Sequence, residues 1–225
     1  MHLWIVSPKN MTMKKSFFTF AFLLTVTASF AQFESGKQVF RSPGLDDLLS
    51  SAKTVAILPF RVAISYKKMP KGLTLDMVKD NEKQESLQMQ QGMYTYLLRK
   101  AENYTVTFQD VDRTNAMLKK AGILDNLEEV LADSICSILK VDAVIRCNWS
   151  YAKTGSEAGA IASAMLLGVG KGTGSGQLVM QINGAKDGEL AWRMSKEMNE
   201  GAFSSANELM ERMMRKVGRV FPFEK

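Results

Sequence analysis

Histidine and cysteine are almost missing from this sequence. Its 225 residues include one histidine, His2, and two cysteines, Cys136 and Cys147. Imidazole is the commonest biological base at neutral pH and the commonest metal ligand, so most histidine-based catalysis and metal binding is excluded. The two cysteines are too far apart to form a C-x-x-C redox motif. We therefore expect no cofactor and no bound metal, and the informative features are those that indicate compartment and fold.

Charged residues are sparse as well, at 23% of the chain, whereas 46% of the residues are hydrophobic. This composition is typical of a folded protein and excludes an extended disordered chain. The length suits one compact α/β domain, or one domain with an appendage, better than two large domains. The formal net charge is +6, but the basic cluster Lys67, Lys68 and Lys71 is accompanied by only one aromatic residue, Tyr66. Binding of nucleic acid is therefore not expected.

Residues 13–31 have the three parts of a secretory signal peptide. Two lysines precede an apolar run at 17–26, and the small residues Ser29 and Ala31 follow it. A transmembrane anchor needs about 20 apolar residues and is not followed by such a small-residue cleavage motif, so an anchor is the weaker interpretation. The pattern predicts export, with cleavage after Ala31.

The segments on either side of the signal peptide carry less information. Residues 1–12 are expected to be an upstream extension that is not native, with the true start at Met11 or Met13, and residues 32–44 are expected to be a polar leader. No cysteine stands just after Ala31, so a lipid anchor is not predicted. We expect an exported protein, periplasmic or secreted.

Residues 45–225 alternate between strand and helix patterns and are predicted to form a single α/β domain. Apolar runs and alternating patterns predict strands at 54–60, 104–108, 141–149, 177–183 and 189–194. Apolar stripes at helical spacing predict helices at 45–51, 84–101, 112–121 and 127–140 and a closing helix from about 205. The polar residues 61–82 are expected to form a solvated loop. This order implies a mixed sheet of about five strands, in two or three layers, flanked by helices.

Residues 154–176 hold seven glycines and are predicted to form a glycine-rich loop between the third and fourth strands. The spacing around Gly170 and Lys171 fits neither a phosphate-binding P-loop nor a G-x-G-x-x-G turn. A flexible loop and a loop that inserts into a partner or a membrane surface both stay open. In the second case the contact residues are expected to be Ile161, Met165, Leu166, Leu167 and Val169.

Two further sets of residues have both a structural and a functional interpretation. In an exported protein an oxidising compartment permits a disulfide between Cys136 and Cys147, but their apolar neighbours favour buried thiols. Neighbouring carboxylates, Asp110 with Asp112 and the pair at 128–129, suit acid–base chemistry, yet each pair stands where a helix start attracts negative charge. No catalytic residue is therefore assigned.

Three stretches of the sequence resemble a known superfamily: KTVAILPF at 53–60, VDAVIRCNW at 141–149 and DGELAW at 187–192. They look like the core strands and closing hairpin of the bacterial envelope superfamily that includes the TolB amino-terminal domain, the CsgG curli-secretion protein and the lipoprotein activators of penicillin-binding proteins. The resemblance covers about residues 45–222. It implies a TolB-N/CsgG-like fold and a non-catalytic domain that docks on envelope or outer-membrane proteins, sometimes as an oligomer.

Two departures limit what the resemblance transfers. The anchoring cysteine of the lipoproteins is missing here, and residues 154–176 do not alternate as the long pore hairpins of CsgG do. We therefore expect an exported, non-catalytic cell-envelope protein that acts as a protein-interaction or assembly module. The alternatives are a membrane-associating or secretion-related component that works through the glycine-rich loop, and an envelope hydrolase that uses carboxylates.

Overall fold

The computed structural model of the chain describes residues 37–67, 69–153, 174–200, 206–218 and 220–225. Within these ranges the chain forms seven strands and five α-helices. The strands are β1 (Gln38–Arg41), β2 (Thr54–Ile57), β3 (Arg61–Tyr66), β4 (Thr107–Phe108), β5 (Ala143–Lys153), β6 (Gly174–Gly184) and β7 (Leu190–Glu200). The helices are α1 (Leu45–Ser51), α2 (Leu75–Leu98), α3 (Val111–Lys120), α4 (Ala132–Leu139) and α5 (Ala206–Gly218).

All seven strands belong to one mixed sheet. Their order is β1-β7-β6-β5-β2-β4, and β3 lies beside the second half of β5. β2 pairs in parallel with both β4 and β5, as β3 does with β5, whereas β5, β6, β7 and β1 are joined by antiparallel pairings. This confirms the mixed α/β sheet flanked by helices, and it corrects the number of strands from about five to seven.

β1 and β3 are the strands that the sequence pattern did not predict. β1 lies inside the segment expected to be a polar leader, and all four of its residues are exposed. β3 begins the segment expected to be a solvated loop, and its residues are alternately exposed and half-buried. Each has a single partner among the described strands. Strands at such positions bury little surface, so their hydrophobic pattern is weak.

A bulge separates β2 from β3. Ile57 pairs with Ile145 of β5, and Arg61 pairs with Asn148, so three residues on one side stand opposite two on the other. The middle residue of the three is Pro59, which has no N–H to donate to a neighbouring strand. The pairing of β2 with β5 ends before this proline, and pairing with β5 resumes after it in β3.

Two hydrophobic clusters occupy the two faces of the sheet. Successive side chains of a strand point to opposite faces, so Ile145 of β5 belongs to the larger cluster and Val144 to the smaller one. The larger cluster contains residues of α1, α2 and α5, and the smaller one contains residues of α3 and α4. The described helices therefore pack on both faces of the sheet.

The helix expected at 127–140 is shorter than predicted. Leu127–Glu129 form a 3-10 turn, and α4 spans only the eight residues that follow from Ala132. Lys140 ends the helix with a left-handed φ of 57°. Asp125, two residues before the 3-10 turn, forms an ion pair with Lys83 of α2.

The contact between β5 and β6 depends on a glycine. Trp149 of β5 is 1% exposed and stacks on Tyr151 with ring centroids 6.1 Å apart. A Cβ atom on Gly176 of β6 would lie 2.8 Å from Cζ3 of Trp149, with two other ring carbons nearer still. Gly176 was expected in the glycine-rich loop at 154–176, but residues 174–176 begin β6 and the rest of that loop lies outside the described residues.

Candidate functional site

A cleft of about 480 Å³ lies beside the bulge between β2 and β3. α2 forms one wall, the segment between α3 and α4 forms the other, and β5 and β6 form the floor. Its apolar lining includes Leu58, Phe60 and Leu87, and its polar lining contains both acidic and basic side chains. The cleft thus lies where the partner of β5 changes from β2 to β3. Polar groups are accessible at this position.

A buried amide joins the bulge to the helices on either side. Gln90 of α2 is 1% exposed, and its Nε2 donates a hydrogen bond of 2.8 Å to the carbonyl oxygen of Ile57. The same side chain exchanges two hydrogen bonds with Asn115 of α3, at 3.0 and 2.9 Å. One glutamine therefore satisfies the carbonyl at the start of the bulge and ties α2 to α3.

Two ion pairs stand at the rim of the cleft. Arg61 Nε lies 2.9 Å from Glu128 Oε1, and Lys83 Nζ lies 2.9 Å from Asp125 Oδ1. The hydrogen bond that Lys83 donates to Asp125 raises the pKa of Lys83. All four side chains are more than half exposed, so water screens both pairs and they add little to stability. The main effect of the two ion pairs is to fix the positions of the charges at the rim.

A third carboxylate of the cleft protects the edge of the sheet. Glu82 Oε1 accepts a hydrogen bond of 2.7 Å from the backbone N–H of Ile64 in β3. Strands with one neighbour expose N–H groups that would otherwise pair with another chain. The three cleft carboxylates, of Glu82, Asp125 and Glu128, are thus each engaged by a cation or a backbone N–H.

Arg146 is the basic group on the floor of the cleft. Its Nη2 donates a hydrogen bond of 2.7 Å to the carbonyl oxygen of Val130, while its Nε is buried without a hydrogen-bond partner among the described residues. Burial lowers the pKa of Arg146, and nearby Glu128 opposes this. A guanidinium has five N–H donors, so this one has donor capacity that the described fold does not use.

The cleft continues into a sheet surface that we call the open face. It is the side of β5, β6 and β7 that carries Arg146 and extends beyond α4. Its side chains are mostly polar and are exposed or half-buried: Asn148, Ser150, Gln177, Gln181, Arg193 and Ser195. Arg146 pairs with Gln181, and Gln181 pairs with Arg193, so these three side chains form one row across three strands.

The carboxylate pairs considered in the sequence have structural roles where the structure describes them. Asp110 caps α3, because its side chain accepts a hydrogen bond from the backbone N–H of Arg113. Asp112 lies inside the first turn of that helix. Glu128 forms the ion pair with Arg61. The carboxylates of Asp110 and Glu128 thus bind a helix N–H and a guanidinium.

The two cysteines lie in different hydrophobic clusters. Cys136 of α4 belongs to the smaller cluster and Cys147 of β5 to the larger one, so the sheet lies between them. Both are buried and neither is bonded to the other in this structure. Burial raises the pKa of Cys136 to about 12 and raises the pKa of Cys147 as well.

These thiols are expected to be unreactive in the folded chain. At pH 8 the raised pKa values leave little thiolate, which is the reactive form. The raised native pKa of Cys136 stabilises the fold fully below pH 9, and this contribution is lost as the pH rises towards 12. We expect iodoacetamide at pH 8 to label the native chain very slowly and to label both thiols after unfolding in guanidinium, as measured by intact mass. Rapid native labelling, or no labelling after unfolding without reductant, would contradict this.

The predicted contact residues Ile161, Met165, Leu166, Leu167 and Val169 lie outside the described residues. Within the described ranges, no cluster of three histidine, cysteine, aspartate or glutamate side chains is placed to hold a metal ion. None of the helices described there is both long enough and apolar enough to cross a membrane.

No protein-family model and no curated protein matches the chain. It is similar to several solved bacterial structures. They include the PelC dodecamer from Paraburkholderia phytofirmans, at 11% identity over 84% of this chain and 96% of that chain, with a TM-score of 0.42. They also include the lipoprotein GNA1162 from Neisseria meningitidis, at 10% identity over 75% and 97% of the two chains, with a TM-score of 0.42.

A third similar structure is the LpoB C-terminal domain from Salmonella enterica, at 12% identity over 70% of this chain and 94% of that chain, with a TM-score of 0.34. Identities and scores of this size describe a likeness in overall arrangement and carry no argument about function. The TolB-N/CsgG-like resemblance noted in the sequence therefore stays a prediction.

Proposed function

We propose that this chain is an exported, non-catalytic protein of the cell envelope that acts as a protein-interaction or assembly module. The observation that carries the proposal is the open face, a polar sheet surface that no described helix covers and that is continuous with the cleft. The signal-peptide pattern at 13–31 supports export. The envelope or outer-membrane proteins implied by the resemblance are the expected partners, together with further copies of the chain.

The carboxylates of the cleft also favour binding over catalysis. A general acid or base needs a carboxyl group that is free to reach substrate and whose pKa suits the reaction. Glu82, Asp125 and Glu128 are instead engaged by a backbone N–H or a cation. Such fixed charges suit a surface that recognises a partner by electrostatic complementarity.

Photo-crosslinking in cells tests the proposal. A photoreactive amino acid at Ser150 or Gln177, both exposed on the open face, is expected to give a discrete crosslinked product in the envelope fraction. The matched control is Gln88, an exposed glutamine of α2 that lines neither the cleft nor the open face, where no product is expected. Mass spectrometry of the product identifies an envelope protein or a second copy of this chain.

The same cells test export. The protein in the envelope fraction is expected to have the intact mass of a chain that lacks residues 1–31. Retention in the cytoplasm with these residues still attached, or equal crosslinking from Ser150 and Gln88, would count against an exported interaction module.

A further inference from the structure

Arg146 has an incomplete set of partners for a charge on the floor of a cleft. Arg146 is half-buried, and a charged group that is partly withdrawn from water is ordinarily paired and hydrogen-bonded. Here the hydrogen bond to the Val130 carbonyl satisfies one donor, and Nε is buried without a partner among the described residues. The nearest acid at the rim, Glu128, is held 2.9 Å from Arg61. A carboxylate brought by a ligand would supply the missing acceptor.

A second guanidinium stands in the same row. Arg193 of β7 is exposed and has no acid within ion-pair distance among the described residues. The pairings Arg146 with Gln181 and Gln181 with Arg193 place the two arginines two strands apart on one face. Neighbouring strands are about 4.8 Å apart, so the two backbones are separated by about 10 Å. Gln181 between them offers an amide that donates and accepts hydrogen bonds.

The surroundings of this row favour a polypeptide over a phosphate-rich ligand. Glu128 at the rim and Glu197, exposed further along β7, would repel a polyanion. Asn148 and Ser150 next to the row present side-chain amide and hydroxyl groups, which recognise peptide groups. Arg61 and Lys83 at the rim are paired with carboxylates, so the basic charge left for a ligand lies along the row. This arrangement suits a segment that carries a few spaced carboxylates.

We infer that the cleft and the open face bind an acidic segment of a partner protein, with one carboxylate on Arg146 and a second on Arg193. The inference rests on the proposed function, because it names the chemistry of the partner at the same surface. Gln181 hydrogen-bonds the backbone of the segment between the two carboxylates.

A peptide of fixed geometry tests the spacing. In a polyproline II helix, residues i and i+3 lie on the same side about 9 Å apart, so a fluorophore-labelled peptide PPEPPEPP carries two carboxylates at nearly the separation of the two arginines. Its affinity for the full chain is measured by fluorescence anisotropy at low salt. The peptide PPQPPQPP, which lacks both charges, is the ligand control.

Three substitutions of one type locate the site. Arg146→Gln and Arg193→Gln are each expected to weaken binding of PPEPPEPP by about tenfold or more, since each removes a charge-assisted hydrogen bond. Arg41→Gln, at an exposed position of β1 whose pairing with Trp192 puts it on the opposite face, is expected to change the affinity by less than about twofold. Circular dichroism checks folding, and Arg193→Gln, at an exposed position, tests the site even if Arg146→Gln unfolds.

The outcomes separate the inference from the proposed function. Equal binding of PPQPPQPP, or an equal loss for Arg41→Gln and Arg193→Gln, would overturn the acidic-segment inference. So would arginine-dependent binding of inorganic phosphate or of phosphatidylglycerol vesicles without binding of PPEPPEPP. If Ser150 still crosslinks to a partner but PPEPPEPP does not bind, the proposed interaction module is kept and only the acidic-segment inference is overturned. If neither crosslinking nor peptide binding is seen, both proposals are overturned.

Discussion

Replacing Gly176 with alanine is expected to lower the free energy of unfolding by about 3 kcal/mol, at the upper end of the cost of overpacking a core. The added Cβ would fall on three carbons of the Trp149 indole, the farthest of them at 2.8 Å. The indole cannot move aside cheaply, because it is 1% exposed and stacked on Tyr151. Urea or guanidinium unfolding followed by tryptophan fluorescence measures the change.

The matched control for this substitution is another glycine of β6. A Cβ on Gly184 would lie 3.5 Å from Cδ1 of Leu48, an ordinary contact, so Gly184→Ala is expected to change stability by less than about 1 kcal/mol. A double-mutant cycle with Trp149→Leu tests the mechanism, since alanine at 176 should cost much less once the indole is gone. Equal effects of the two glycine substitutions, or a cycle with no coupling, would refute the steric explanation.

The strands that the sequence predicted are those whose side chains meet the two hydrophobic clusters. The apolar run of β2 and the alternating apolar residues of β6 and β7 mark buried positions directly. β6 and β7 pair with each other through a short turn near 186–188, where the local residues favour a turn. These elements were predictable because burial and turn formation each favour particular residue types at neighbouring positions in the sequence.

β3 and the bulge were not predictable in this way. Arg61–Tyr66 become a strand because β5 is long enough to pair with β2 first and with β3 afterwards. That pairing joins residues far apart in the sequence, and it leaves β3 only half-buried. Pro59 interrupts the pairing with β5, and nothing local signals that pairing begins again four residues after Ile57.

The cleft was missed for a related reason. The stretch VDAVIRCNW was interpreted as one apolar strand. The charged residue inside it, Arg146, is the signal in the sequence that one face of this strand is less buried than the other. Arg146 lies on the face opposite Ile145 and Cys147, where α4 ends and the open face begins. Gln90 was equally visible as a polar residue beside the apolar stripe of α2, yet its partner is the carbonyl of Ile57, thirty-three residues away.

Gln90→Met is expected to lower the free energy of unfolding by about 3 kcal/mol. Methionine fills a similar volume, but it leaves the Ile57 carbonyl without its hydrogen bond and removes both bonds to Asn115. A buried polar group left unsatisfied costs about 1 to 3 kcal/mol, and Asn115, which is half-buried, recovers part of its loss from water. Gln91→Met, at an exposed position of the same helix, is the matched control and should change stability by less than about 0.5 kcal/mol.

A change of pH separates the hydrogen bond to Ile57 from simple packing. In Gln90→Glu the ionised carboxylate has no proton to donate to the carbonyl of Ile57, whereas the protonated acid has one. Burial disfavours the charged form and raises the pKa of such a carboxyl group, so the stability it provides is present at low pH and is lost as the pH rises through that pKa. The deficit of Gln90→Glu relative to the parent chain should therefore be larger at pH 7 than at pH 5, while that of Gln90→Met should be the same at both. A pH-independent deficit for both variants would mean that the shape of the side chain, and not its donor, holds the bulge.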